Sequence, residues 1–293
     1  MASQRAHYNH LRDAWTQQHA TLHGRLWEKH KEALEWLQKK SQHAAIGSLG
    51  AFMLFALPGK QEFTLPKMLS VNAADAIGKD LDKKAFVIHD LSKILPETVE
   101  PLSETQEKQI GNVFARYFGV NAAAQLDGKR LNRSYGYIGA EQHLKRYDGD
   151  TMESHFDNAN DSSRYYSSGM APGRGAWGYF GTDEKAVLRE KYYIAVQTFL
   201  SPGWQEDPRE MYGFFKYRKM LVVNPQNGKA MVVVIGDSGP AAWTGKHLGG
   251  SPEVMKYLER VDGRQKGPVL YFFLDDPDDK IPLGPLPLKQ SNV

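Results

Sequence analysis

The stretch Lys219-Met-Leu-Val-Val-Asn-Pro-Gln-Asn-Gly-Lys-Ala-Met-Val-Val-Val-Ile-Gly-Asp-Ser-Gly-Pro240 decides the fold class of this chain. Its two apolar runs, 219–223 and 230–235, are too short for helices and rich in β-branched residues, so they read as strands. Asn227-Gly228 between them supplies the residue types that accept the positive φ angles of a tight hairpin. The second strand runs straight into Gly236-Asp237-Ser238-Gly239-Pro240, which brings a carboxylate to a strand end. Outward from this hairpin, Tyr192–Phe199 and Val269–Leu274 have the same strand character. Pro252–Leu258 reads as a helix, with Ser251 as N-cap and Pro252 at the first helical position. One compact β-rich domain from about Leu131 to Leu274 is therefore expected, with the 236–240 turn on its working face.

Bulk properties narrow the function classes. The formal charge of +3 is confined to residues 1–43, which hold seven Lys/Arg against four acids, while the other 250 residues balance at thirty against thirty. A neutral main body lacks the electrostatic footprint of phosphate-backbone binding, so no nucleic-acid partner is expected. The chain has no cysteine, which removes disulfide frameworks and thiolate metal sites. The ten histidines show no HExxH or comparable tight spacing, so neither a metal nor another cofactor is indicated.

Toward the N-terminus, Tyr8, Leu11, Trp15, Leu22, Leu26, Ala33, Trp36 and Leu37 fall on one helical face. Residues 1–43 thus predict an amphipathic helical segment, a candidate for self-association, for lying on a membrane surface or for packing on its own chain. Ala44–Leu57 is a fourteen-residue run without charge, closed by Pro58-Gly59. Residues 44–58 read as a membrane anchor or signal segment, or alternatively as a buried core helix. Lys29, Lys31, Lys39 and Lys40 precede the run, and on the anchor reading the positive-inside rule leaves the N-terminus cytoplasmic and the C-terminal part extracytoplasmic. Residues 59–130 read as a helical spacer, in which Ser103 with Gln106 or Glu107 caps a helix running through Ile110, Val113, Phe114 and Tyr117 to Gly119.

The order of hairpin, apolar strand, Asp-x-Gly-Pro turn, Thr244-Gly-Lys246 loop and Ser251-Pro252 helix start resembles the double-psi β-barrel of expansins, rare lipoprotein A and membrane-bound lytic transglycosylases. The likeness covers Val222 to Leu258. It implies a mainly β, overall α+β chain with a six-stranded double-psi-type barrel over 131–285 and a tail over 286–293. It also implies a cell-wall glycan as ligand, with Asp237 at a position where several relatives carry an acid. One departure is plain: many relatives read Ile-Asp-Leu-Ser before the helix, where this chain has Lys246-His-Leu-Gly-Gly-Ser251, so a second acid is missing. A single carboxylate suffices for lytic cleavage in which the sugar's own hydroxyl attacks, whereas ordinary glycoside hydrolysis divides the work between two.

Two side-chain groups complete the candidate site. Glu141, His143 and Lys145 would share one face of a strand, offering an acid and an imidazole to one ligand, or forming a solvated face. Asp237, Glu141 and His143 are the candidate catalytic residues. Trp243, Thr244, Lys246, Trp177 and Tyr179 are the candidate ligand-binding ones, the rings offering flat apolar faces with polar edges. His155 and Asp157 lie in a polar loop and are expected to be exposed. Gly173-Arg-Gly-Ala-Trp-Gly178 matches a dinucleotide-binding spacing without the strand–helix context. Gly236–Pro240 is similar to a serine-protease nucleophile turn but lacks an identified His–Asp support. The competing expectations are therefore a membrane-anchored glycan-cleaving enzyme and a non-catalytic envelope module binding glycan or protein.

Overall fold

A computed structural model of the chain describes residues 83–156, 158–260 and 267–289. The expectations for 1–43, for 44–58 and for the first part of the spacer lie outside the described residues. No described helix is long and apolar enough to cross a membrane.

The described chain runs α1 (83–92), α2 (Glu104–Phe118), the short strands β1 (Ala122–Ala123), β2 (Gln125–Leu126) and β3 (Lys129–Arg130), then β4 (Tyr135–Ala140). There follow α3 (Ala159–Tyr165), α4 (Glu184–Lys191), β5 (Tyr193–Val196), α5 (Pro208–Phe215), β6 (Lys219–Val223) and β7 (Ala230–Ser238). The chain continues through β8 (Leu248–Gly250), α6 (Pro252–Tyr257), β9 (Gly267–Leu274) and β10 (Gly284–Leu286). The central strands close on themselves: β4 pairs β8, β8 pairs β5, β5 pairs β7, β7 pairs β6, β6 pairs β9, and β9 returns to β4. Two of these pairings, β4 with β8 and β5 with β7, are parallel and the rest antiparallel. The result is a closed six-stranded mixed barrel in an α+β chain, with β1 added to β9 and β10 to β7.

The strand sequences are apolar at nearly every position because both faces are covered. Val269, Tyr271 and Phe273 of β9, Met220 and Val222 of β6, and Met231, Val233 and Ile235 of β7 belong to one buried cluster. Ile138, Ile194, Val196 and Leu248 bring the other three strands into it, so this cluster is the barrel interior. The alternate residues Leu270, Phe272, Leu274, Leu221, Val223 and Val232 join a second cluster with Ile110, Val113 and Phe114 of α2 and Val87 and Leu91 of α1. Period-2 alternation sends successive side chains to opposite faces. Here the outer face is sealed by helices rather than by water.

Local signals explain the element ends. Ser103 and Gln106 form a full capping box at the start of α2, and Gly119 closes it in the left-handed region. Gly228 takes a φ of +69° in the loop 224–229 that joins β6 to β7; Asn227 does not share the positive φ, so the hairpin is longer than the tight Asn-Gly turn expected. Ser251 accepts a hydrogen bond from Val254 N at the start of α6. The expected strand Tyr192–Phe199 stops earlier, at Val196, and passes into a 3-10 turn over Thr198–Leu200. At this end the buried side chain of Gln197 donates from Nε2 to the Pro240 carbonyl at 3.0 Å.

Candidate functional site

Asp237 stands near the end of β7, opposite Ala195 of β5, just past a register shift in that pairing. Gly236 before it leaves room that a Cβ would not, since such an atom would lie 2.6 Å from Tyr193 Cβ. Asp237 is half-buried. Its Oδ1 accepts from Ala176 N at 2.6 Å and from Ser238 N at 2.8 Å, so it ties the 173–178 loop to the barrel rim. Burial holds its carboxyl above the usual aspartate range, against the opposing pull of those two N–H groups.

The expected ligand-binding residues take up different positions. Trp177 is buried, donates from Nε1 to the Ile235 carbonyl at 3.0 Å, and meets Tyr212 edge-on at 4.6 Å. Tyr179 turns its hydroxyl to Asp148 at 2.9 Å under the Arg174 guanidinium. Trp243, on the turn Ala242–Thr244, is 88% exposed. Thr244 Oγ1 donates to the Ala241 carbonyl at 2.7 Å, and Lys246 Nζ reaches the Ala140 carbonyl and Glu141 Oε1 at 2.9 and 3.0 Å. Ser238 Oγ meets Thr198 Oγ1 at 2.6 Å, next to the exposed Phe199 and Leu200.

Glu141, His143 and Lys145 do not form one strand face. β4 ends at Ala140, because the chain leaves the sheet to follow Gly169 and Met170 instead. Glu141 turns to Lys246, while His143 is wholly buried and joins a separate network. Tyr193 stands between the two regions. It is buried, its hydroxyl donates to the Gln142 carbonyl, and besides burial the charges of Glu141, Glu190, Asp237 and Glu253 push its pKa well up.

That network went unseen in the sequence. Glu190 of α4 is fully buried; its Oε1 accepts from His143 Nδ1 at 2.8 Å. Its Oε2 takes Arg146 Nη2 at 2.7 Å and His155 Nδ1 at 3.0 Å. Asp150 Oδ2 in turn lies 2.8 Å from His155 Nε2 and accepts from Arg146 N at 2.7 Å. His155 is therefore buried rather than exposed, because both ring nitrogens have carboxylate partners inside the fold; Asp157 lies outside the described residues. Glu253 of α6 completes the set, with Oε1 3.9 Å from His143 Nε2. A cavity of about 350 Å³ opens beside it, lined in part by Glu253, His155, Phe156, Tyr165, Lys191 and Tyr257. Neither this cavity nor a larger one of about 710 Å³ beside α2 and β1–β3 is lined by Asp237.

The network gives a testable pH dependence. Burial alone would raise Glu190, yet the bonds from His143 and His155 bring it down to about 2. Asp150 is also lowered: the bonds from Arg146 N, Ser154 and His155 outweigh its burial. Both depressed carboxyls contribute stability that is present above their unfolded values and lost as pH falls. Burial would lower His155, but Glu190 and Asp150 raise it, so its contribution is full below about 6.5 and lost as pH rises. Burial lifts Glu253 to about 7, a cost to stability that builds up from its unfolded value to about pH 7 and persists above it. Urea unfolding in metal-free buffer should show maximal stability near about pH 5, falling on both sides. Stability climbing steadily to pH 8 would contradict this.

The fold defines the class: a closed six-stranded mixed β-barrel, compatible with the double-psi topology. No family model, curated protein or solved structure matches the chain.

Proposed function

We propose that the barrel is a double-psi domain whose Asp237 rim engages a cell-wall polysaccharide, in a membrane-anchored protein with this domain outside the cytoplasm. The observation that carries the reading is the pairing of a half-buried carboxyl of raised pKa with a neighbouring turn that presents an indole almost wholly to solvent. Both backbone N–H bonds land on Oδ1 of Asp237, which leaves Oδ2 to carry the proton whenever the carboxyl is protonated. A carboxyl held in that state can protonate a glycosidic oxygen as the bond breaks. The resulting carboxylate then accepts the proton of the sugar hydroxyl that attacks internally, and no second acid is required. Trp243 supplies a stacking face for a neighbouring sugar ring.

A second reading, a module that binds glycan without cleaving it, is favoured by the same two N–H bonds. They give Asp237 a turn-holding role, and Lys246–Ser251 lacks the second acid of many relatives. Both readings share the binding face, so co-sedimentation of the full chain with purified sacculi tests it. Trp243→Ala should weaken binding about tenfold, the effect of roughly 1.4 kcal/mol of lost ring contact. Unchanged sedimentation would remove the rim from the account.

A further inference from the structure

The buried network contains a gap that its own residues leave open. Glu190 is saturated by Arg146 and two imidazoles, and His155 is held at both nitrogens. His143 differs. Its Nδ1 lies 2.8 Å from Glu190 Oε1, which leaves Nε2 as the ring nitrogen turned away from that carboxylate. That atom is buried and has no hydrogen-bond partner, and the same is true of Glu253 Oε2. The two side chains nevertheless face each other, with Nε2 and Oε1 3.9 Å apart. A direct charge-assisted hydrogen bond would draw them to about 2.7–2.9 Å. An ion with bonds of about 2.0–2.2 Å to nitrogen and oxygen holds two such atoms about 3.4 Å apart at a tetrahedral angle, so it fits between them once the side chains close by about half an ångström.

We propose that His143 Nε2 and Glu253 hold a divalent transition-metal ion. Glu190 acts as the hydrogen-bonded support that fixes the His143 ring, the carboxylate–histidine–metal arrangement common around such ions. An imidazole and a carboxylate suit zinc, cobalt or manganese better than calcium or magnesium. The ligand atoms of His143, His155 and Glu190 also lie within 4.8 Å of one another, but using them would require Glu190 to abandon Arg146. The His143–Glu253 gap needs no such rearrangement. Glu253 lines the 350 Å³ cavity, which gives the ion a path in. Water, or a molecule bound in the cavity, takes the remaining coordination positions, the open arrangement of a reactive rather than a structural site. This site is separate from the Asp237 rim and does not depend on the glycan reading.

The test is titration of the untagged full chain, stripped with chelator and dialysed, with Co²⁺ followed by its visible absorption and with Zn²⁺ as competitor. Wild type should bind about one equivalent at this site and release cobalt to zinc. Glu253→Gln, nearly isosteric, should keep the wild-type circular dichroism and weaken cobalt binding at least about a hundredfold. His143→Gln should behave likewise; if it fails to fold, Glu253→Gln decides. Asp237→Asn should bind as wild type does. Absence of a cobalt signal in the wild type, or equal binding by Glu253→Gln, would overturn the site.

Discussion

Replacing Glu190 by glutamine is expected to destabilise the domain by about 3–5 kcal/mol, the usual effect of removing one partner from a buried ion pair. The carboxylate is 0% exposed and takes hydrogen bonds from three side chains, of which Arg146 and the doubly bonded His155 are cationic. Glutamine keeps the shape but turns an NH₂ group toward donors, strands the Arg146 guanidinium and leaves His155 with Asp150 alone. At roughly 2–4 °C per kcal/mol for a domain of this size, the melting temperature should fall by about 6–20 °C. Adding Arg146→Met should recover part of the loss, because the second change removes a charge that the first stranded. A loss below about 1 kcal/mol in thermal unfolding would mean that the network does not hold the 141–156 loop to α4.

Phe272→Ala is expected to cost a similar amount, about 3–5 kcal/mol, for a different reason. Phe272 is fully buried on the outer face of β9, and its ring meets Phe114 of α2 edge-on at 5.2 Å. Deleting it opens a cavity between the barrel and its covering helix rather than inside the barrel. Protection of α2 amides in hydrogen exchange should fall together with global stability, because the helix and the strand share one buried cluster. If α2 were an independent spacer, its amides would exchange at the same rate in both proteins.

The difference between those two alternatives marks what could be read from the chain alone. Strands β6, β7 and β9 were legible because their β-branched and aromatic runs are short and bounded by turn residues. The hairpin at Asn227-Gly228 and the caps at Ser103 and Ser251 were legible because each satisfies a local backbone demand. What covers an apolar face is not local. The stripe on α2 says that the helix is buried on one side, but not that Phe272, Leu270 and Leu274 bury it. Strand β8 escaped because its residues are Leu248-Gly249-Gly250, which have little strand propensity. The glycines are there because a Cβ on Gly249 would fall within 2.0 Å of Glu141 Oε1, and one on Gly250 would press on Ile138 at 3.0 Å. Register with β4 and β5, not composition, makes it a strand.

The candidate site divides in the same way. Asp237 could be placed at a strand end because Gly236–Pro240 follows an apolar run directly. Its raised pKa and its bonds to the 173–178 loop depend on residues about sixty positions away, such as Ala176 at 61. The buried network had no sequence signal of its own. His143 and Arg146 meet Glu190 across 47 and 44 residues, and His155 meets it across 35. Such separations match no ligand-spacing motif, and the histidines stand in polar, turn-rich sequence that ordinarily faces water.

The most direct test of the Asp237 account is the release of soluble fragments from purified sacculi by the full chain, wild type against Asp237→Asn. Asparagine can still accept the Ala176 and Ser238 N–H bonds through Oδ1, so the turn should hold, and it removes only the proton that the carboxyl delivers. The account predicts that wild type releases fragments ending in an internally cyclised sugar, and that Asp237→Asn loses this release by about a hundredfold or more while still sedimenting with sacculi. Equal release by both proteins would contradict it.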